Sequence, residues 1–181
     1  MGDRATPDSL LLVQELVNTL DVETGADGLA DAEGLAAFLR EHRLPALGLR
    51  ERDLPGLREL REALRAACLA HAGVPMPPEA ARTLELRLSA APLTLAIAAD
   101  GETALRPAPG PSGLTALTAH LAAGIATAAG EGNWQRLKAC EARDCVWAFY
   151  DRSPAGRRRW CDMAVCGSRA KMRTYRARRA R

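Results

Sequence analysis

Four cysteines in the last quarter of the chain constrain its folding most. Cys140, Cys145, Cys161 and Cys166 form two C-x4-C pairs separated by fifteen residues. Two thiol pairs of equal spacing supply the four ligands of a tetrahedral zinc ion. Four thiolates close the coordination shell and leave no position for a reacting water, so the pattern predicts one structural Zn2+. A segment this short and this charged has little else to fold around. A redox thiol pair or chance clustering are the alternatives, and the spacings match neither ferredoxin pattern.

The surrounding charge is asymmetric. The 181 residues carry a formal charge of +3. Residues 134–181 hold 14 Lys/Arg against 4 Asp/Glu, whereas residues 1–133 hold 11 against 18. The aromatics divide in the same way, since only Phe38 lies outside the basic end. The Gly-Glu-Gly run at 130–132 reads as a flexible joint. Two domains are therefore expected, 1–130 and 134–181. No basic n-region with an apolar h-region opens the chain, so no signal peptide is expected. The longest apolar stretch is read around Leu93–Ala99, too short to cross a membrane. Without export, paired cysteines bind metal more often than they form disulfides.

The fold class expected is mainly α with a small antiparallel β-sheet (α+β), followed by a treble-clef or zinc-ribbon-like hairpin and helix. Leu10, Val13, Leu16, Val17 and Leu20 recur at helical spacing, with Asp8 or Ser9 as a cap. Leu35, Phe38, Leu39 and His42 follow a cap at Asp31. Leu57, Leu60, Leu64, Ala67, Cys68 and His71 form the clearest stripe, with Arg58, Arg61, Glu62 and Arg65 placed elsewhere on that helix. Gly73 and the prolines at 75, 77 and 78 end it. Leu84, Leu86 and Leu88 alternate with polar residues, which predicts a strand. Leu93, Leu95 and Ile97 predict another, turning at Asp100-Gly101 into Thr103–Arg106. Ser112 is a candidate cap for a last helix carrying Leu114, Leu117, Leu121, Ile125 and Ala128.

No phosphate loop, H-E-x-x-H or G-x-S-x-G is present in residues 1–130, and no enzyme is expected. His42, His71 and His120 lie on or beside apolar stripes and read as partly buried histidines without convergent partners. Cys68 reads as a core residue.

Between the cysteine pairs, 146–150 reads as a strand, 151–156 as a turn and 157–160 as the returning strand. Ser168–Arg181 is helical by propensity. Arg157, Arg158 and Arg159 are consecutive on the hairpin. Arg169, Lys171, Arg173, Arg176, Arg178 and Arg179 lie on the helix, where Arg169, Arg173 and Arg176 share one face. Ala170, Thr174 and Ala177 form an uncharged face expected to pack on the finger. A basic run is often a solvated tail. Coupled to a metal-stapled module, it reads instead as a phosphate-binding surface.

The run Cys140-x4-Cys145, Phe149-Tyr150-Asp151-x-Ser153, then Arg159-Trp160-Cys161-x4-Cys166-Gly167-Ser168-Arg169-x-Lys171 resembles the CGNR zinc finger. Ser168 stands where that family has Asn, and a serine is still able to cap the helix start. Leu16-Val17-Asn18-Thr19-Leu20-Asp21 resembles the opening of the ABATE domain that accompanies this finger. The resemblance implies a bacterial transcriptional regulator, with a mainly helical sensor-like domain and a DNA-contacting finger. The expected partners are duplex DNA, a small-molecule effector and a second copy of the chain, in a cytoplasmic, nucleoid-associated protein with no membrane contact. An RNA- or ribosome-associated role and a protein-interaction module are the competing functions.

Overall fold

The computed structural model describes residues 6–179. Helix α1 spans Asp8–Asn18 and buries Leu10, Val13, Leu16 and Val17 of the expected stripe, whereas Leu20 lies past its end and pairs with Asp27 in an isolated antiparallel bridge. Neither expected cap serves the helix. Pro7 holds the N-cap position with no side-chain bond, and the Ser9 hydroxyl is buried without a partner. Helix α2 (Ala32–Glu41) is capped as expected, with the Asp31 carboxylate accepting from the Gly34 N–H at 2.9 Å. Helix α3 (Leu54–His71) buries Leu57, Leu60, Leu64 and Cys68. Burial raises the Cys68 thiol pKa to about 12, which leaves it inert at neutral pH.

The expected strand over Leu84–Leu88 is wrong. Residues Pro78–Ser89 form helix α4. Pro78 sits in the first turn, where its missing N–H costs nothing, and Ala, Glu, Arg and Leu favour helix. The side turned towards the protein carries Ala80, Thr83, Leu84, Arg87 and Leu88, while Leu86 is 68% exposed. Arg87 and Thr83 hold α4 to Glu59 of α3. The hairpin that follows is as expected. Strand β1 (Leu93–Ile97) pairs antiparallel with β2 (Thr103–Pro107), Leu95 opposite Leu105. Gly101 at the turn has φ +86°, a conformation that favours glycine.

Helix α5 (Gly113–Gly130) begins after Ser112, whose side chain makes no capping bond. It, rather than Leu93–Ala99, is the longest apolar segment. Its length and composition alone would suit a membrane span, but here Leu117, Ala119 and Leu121 are core residues. It packs closely on α1, because a Cβ at Gly124 would lie 2.2 Å from the Ser9 carbonyl oxygen.

Strands β3 (Leu137–Ala139) and β4 (Ala148–Tyr150) pair antiparallel. The expected return strand at 157–160 is absent, since β3, upstream of the first cysteine, already occupies the partner edge of β4. Leu137, Ala139 and Ala148 join the same buried cluster as α1, α2, α3 and α5. Helix α6 spans Ser168–Arg179. Arg181, counted in the expected helix, lies outside the described residues.

Gly124→Ala forces α1 and α5 apart. Such overpacking costs about 1–3 kcal/mol, so chemical denaturation at 25 °C is expected to show a lower midpoint with zinc content unchanged.

Candidate metal centre and basic helix

The metal site begins where β3 ends. The Cys140 N–H donates to the Trp147 carbonyl at 2.9 Å, closing a knuckle whose turn is held by Cys145 N–H to Ala142 O at 2.9 Å. Val146 takes φ +45°, strained for a β-branched residue, and turns the chain into β4. The second pair is positioned by a π-helical turn, Met163–Gly167. Asp162, and not Ser168, caps it, accepting from the Val165 N–H at 2.9 Å. Gly167 leaves room for the Met163 side chain, since a Cβ there would lie 3.0 Å from its sulfur and displace it.

The four Sγ atoms lie within 4.8 Å of one another. Cys145 and Cys161 are 3.6 Å apart and Cys161 and Cys166 3.9 Å. Tetrahedral Zn–S bonds of about 2.3 Å place sulfurs about 3.8 Å apart, so the set fits zinc. These separations are far beyond the roughly 2.05 Å of a disulfide. The electrostatics agree. A hydrogen bond from Cys161 lowers Cys140 to about 5. Cys161 is raised by that same bond to Cys140, and Cys166 by burial and the Cys140 charge. At this spacing one sulfur ionises at the expense of its neighbours, and a divalent cation lets all four be thiolates.

A second knot supports the finger. Asp151 is completely buried and accepts from Ser153 N and Oγ, Arg158 N and the Lys138 ammonium at 2.7–3.0 Å. Lys138, also buried, donates further to the Gly156 carbonyl at 2.6 Å. Burial alone would raise the Asp151 pKa, but bonds from Ser153, Lys138 and Arg158 outweigh it and hold the group at about 2. The stabilisation is therefore complete above the ordinary carboxylate value near 4 and is lost as pH falls towards 2. Sequence reading took 151–156 as a turn, which it is, but missed the Lys138 counter-ion.

The basic residues divide into two groups. Arg158 donates to the Cys161 carbonyl at 2.5 Å and lies over the Phe149 ring at 5.2 Å. Arg159 makes a two-point ion pair with Glu141 and covers Trp160. Arg169 bonds Glu23, in a loop of the first 130 residues, at 2.8 Å, and Arg173 is 3.5 Å from Asp144. Arg179 donates to the Tyr175 hydroxyl at 3.1 Å. By contrast Arg157, Lys171, Arg176 and Arg178 are exposed and have no ion-pair partner among the described residues. Arg169, Arg173 and Arg176 do share a face, lining a groove of about 580 Å³ with Val165, Ser168 and Met172. Lys171, Tyr175 and Arg178 line another of about 410 Å³ with Arg159 and Trp160. Ala177 is exposed rather than packed on the finger.

The remaining contacts bind the finger to the helices. Asn18 grips the β4 backbone at both ends, donating to Ala148 O at 2.9 Å and accepting from Ala148 N at 2.7 Å. Arg61 and Arg65, expected away from the buried stripe, are only 3% and 4% exposed. Arg65 donates to Val17 O, to Glu62 and to Val146 O in the knuckle, at 2.8–2.9 Å. Arg61 bonds Asp27 and Thr19. His71 is half-buried, as expected, and bonds Leu137 O at 2.7 Å against Trp134. The signal for the arginines was their own spacing. Positions 58, 61 and 65 form a stripe beside the leucines.

Residues 11–132 match the model of the ABATE family, described as "Putative stress-induced transcription regulator". The chain belongs to the ABATE family. Residues 136–179 match the CGNR zinc finger. No curated protein matches the chain. In this ABATE protein the Leu-Val-Asn-Thr run has a physical reading: Leu16 and Val17 are core, Asn18 clamps Ala148, and Thr19 Oγ1 donates to Leu16 O. In the CGNR tetrapeptide, Cys166 is a metal ligand, Gly167 admits Met163, Ser168 faces the groove and Arg169 reaches Glu23.

Elemental analysis is expected to find one zinc per chain, lost in Cys161→Ser together with finger helicity in far-UV circular dichroism. A metal-free variant with native helicity would contradict a structural role. Asp151→Asn leaves the Lys138 ammonium buried without its counter-charge, a change that costs about 3–5 kcal/mol. Denaturation of the zinc-loaded proteins should show a difference that is flat at neutral pH and narrows below about pH 4.

Proposed function

We propose that this ABATE protein is a non-enzymatic, cytoplasmic transcriptional regulator associated with the nucleoid. Its finger presents α6 to duplex DNA, and its first 130 residues sense a ligand. The observation that carries this reading is the distribution of unpaired charge. Acidic groups engage the start of α6, at Arg169 and Arg173, and leave Lys171, Arg176 and Arg178 exposed further along it. A helix of this diameter fits the major groove. Exposed arginines suit phosphate and guanine contacts, and each phosphate contact releases counterions. Met172 and Val165, exposed between the arginines, are suited to thymine methyl groups.

Binding to duplex DNA, measured across NaCl concentration, is expected to weaken steeply with salt. Lys171→Ala, Arg176→Ala and Arg178→Ala should each flatten the log–log slope by about one. Arg158→Ala should lower finger stability and leave the slope nearly unchanged. Salt-independent or absent duplex binding would sink the reading, and tighter binding to structured RNA at equal salt would transfer it to RNA.

A further inference from the structure

A cavity of about 400 Å³ lies where the first two helices meet the finger. Gln14, Glu15 and Asn18 of α1 form one wall, Phe38, Glu41 and His42 another, and Trp147 closes it from the knuckle. The volume falls in the range of small-molecule sites. Trp147 is 39% exposed, although the next two residues, Ala148 and Phe149, are buried. It lines neither groove beside α6, and it also borders a smaller pocket with Arg152 and Arg158.

The lining selects the ligand's charge. Glu15 and Glu41 are carboxylates, and the one basic side chain, His42, is tied to Glu15 at 3.1 Å. His42 itself packs at a tilt of 53° against Phe38, ring centroids 4.4 Å apart, and so holds the Glu15 carboxylate beside the cavity. Phosphate groups are repelled here. A bare metal ion is also unsuited. Among the described residues the cysteines form the one group of three or more His, Cys, Asp and Glu whose ligand atoms are close enough to hold an ion. An indole face beside two carboxylates is the chemistry that recognises an organic cation. The ring quadrupole attracts the cation, and the carboxylates supply charge without needing metal-ligand geometry.

We propose that the cavity between α1, α2 and Trp147 binds a small organic cation, with an alkyl- or arylammonium head on the indole face and its charge towards Glu15 and Glu41. Trp147 lies two residues from the ligand Cys145, and its neighbour Ala148 is held by Asn18, which also lines the cavity. The ligand therefore touches both family-matched regions at once. This site supplies the sensing half of the proposed regulator, but binding to it does not depend on the finger contacting DNA.

Titration of the zinc-loaded full chain with benzyltrimethylammonium chloride, at ionic strength held with NaCl, tests it. Calorimetry provides the affinity and tryptophan fluorescence the location. Saturable binding with quenching is expected, weakened about tenfold or more in Trp147→Ala and in Glu41→Gln. Glu41 is exposed and far from the zinc ligands in sequence, so its variant retains metal and fold if Trp147→Ala does not. Uncharged neopentylbenzene should bind more weakly than the cation. Absent saturation, equal binding of the uncharged isostere, or undiminished binding in Glu41→Gln would each overturn the proposal. Loss of DNA binding alone would leave it standing.

Discussion

Four sulfurs packed within 4.8 Å cannot all carry charge unless a cation sits among them. Much of the finger follows from that constraint. The knuckle and the π-helical turn approach each other because two thiol pairs must meet, and α6 leaves from the second pair. Zinc alone fixes four points, however, and the loop between the pairs needs its own anchor. The buried Asp151–Lys138 pair provides it, collecting Ser153, Gly156 and Arg158 around one carboxylate and one ammonium. A buried ion pair is weak evidence for net stability. Here its clearer effect is to specify the path of residues 151–158, where no strand forms.

Charge and packing divide this chain at different places. By charge it is an acidic part and a basic part. By packing the β3–β4 ribbon belongs to the same core as α1, α3 and α5, because Leu137, Ala139 and Ala148 are buried among their side chains. Arg65 and Asn18 reinforce that continuity through backbone carbonyls and amides, which do not depend on the identity of the finger's side chains. Contacts from α1 and α3 therefore reach the chain directly after Cys145, at Val146 and Ala148.

The helical core was largely legible in the sequence, because Leu10, Val13, Leu16 and the α3 stripe obey one period and are buried accordingly. Leu84, Leu86 and Leu88 misled for a related reason. Leucine at every second position matches a strand, yet α4 tolerates Leu86 in solvent, so composition and Pro78 decided the outcome. The metal ligands were legible because spacing alone brings thiols together. The wrong return strand arose from treating the finger as self-contained, when the partner of β4 comes from before the first cysteine. Arg61 and Arg65 were misplaced because a charged side chain was assumed to face water. Apart from Glu62 on the same helix, their partners come from segments 17–27 and 146, which no local pattern reveals.

The basic residues of the finger are not equivalent. Nine were marked as nucleic-acid contacts from charge density. Arg158 is a scaffold residue, since its guanidinium completes the turn at Cys161 and covers Phe149. Arg159 is held in a two-point pair by the largely buried Glu141, whereas Arg169 meets Glu23 in an exposed pair, a kind worth little in water. Glu23 ties the start of α6 to the first 130 residues through this one exposed ion pair. Among the described residues Arg157, Lys171, Arg176 and Arg178 have no ion-pair carboxylate to displace. Three of them lie on the flanks of α6 and Arg157 lies in the loop before Cys161, and it is this arrangement, rather than the total of positive charge, on which the proposed nucleic-acid surface rests.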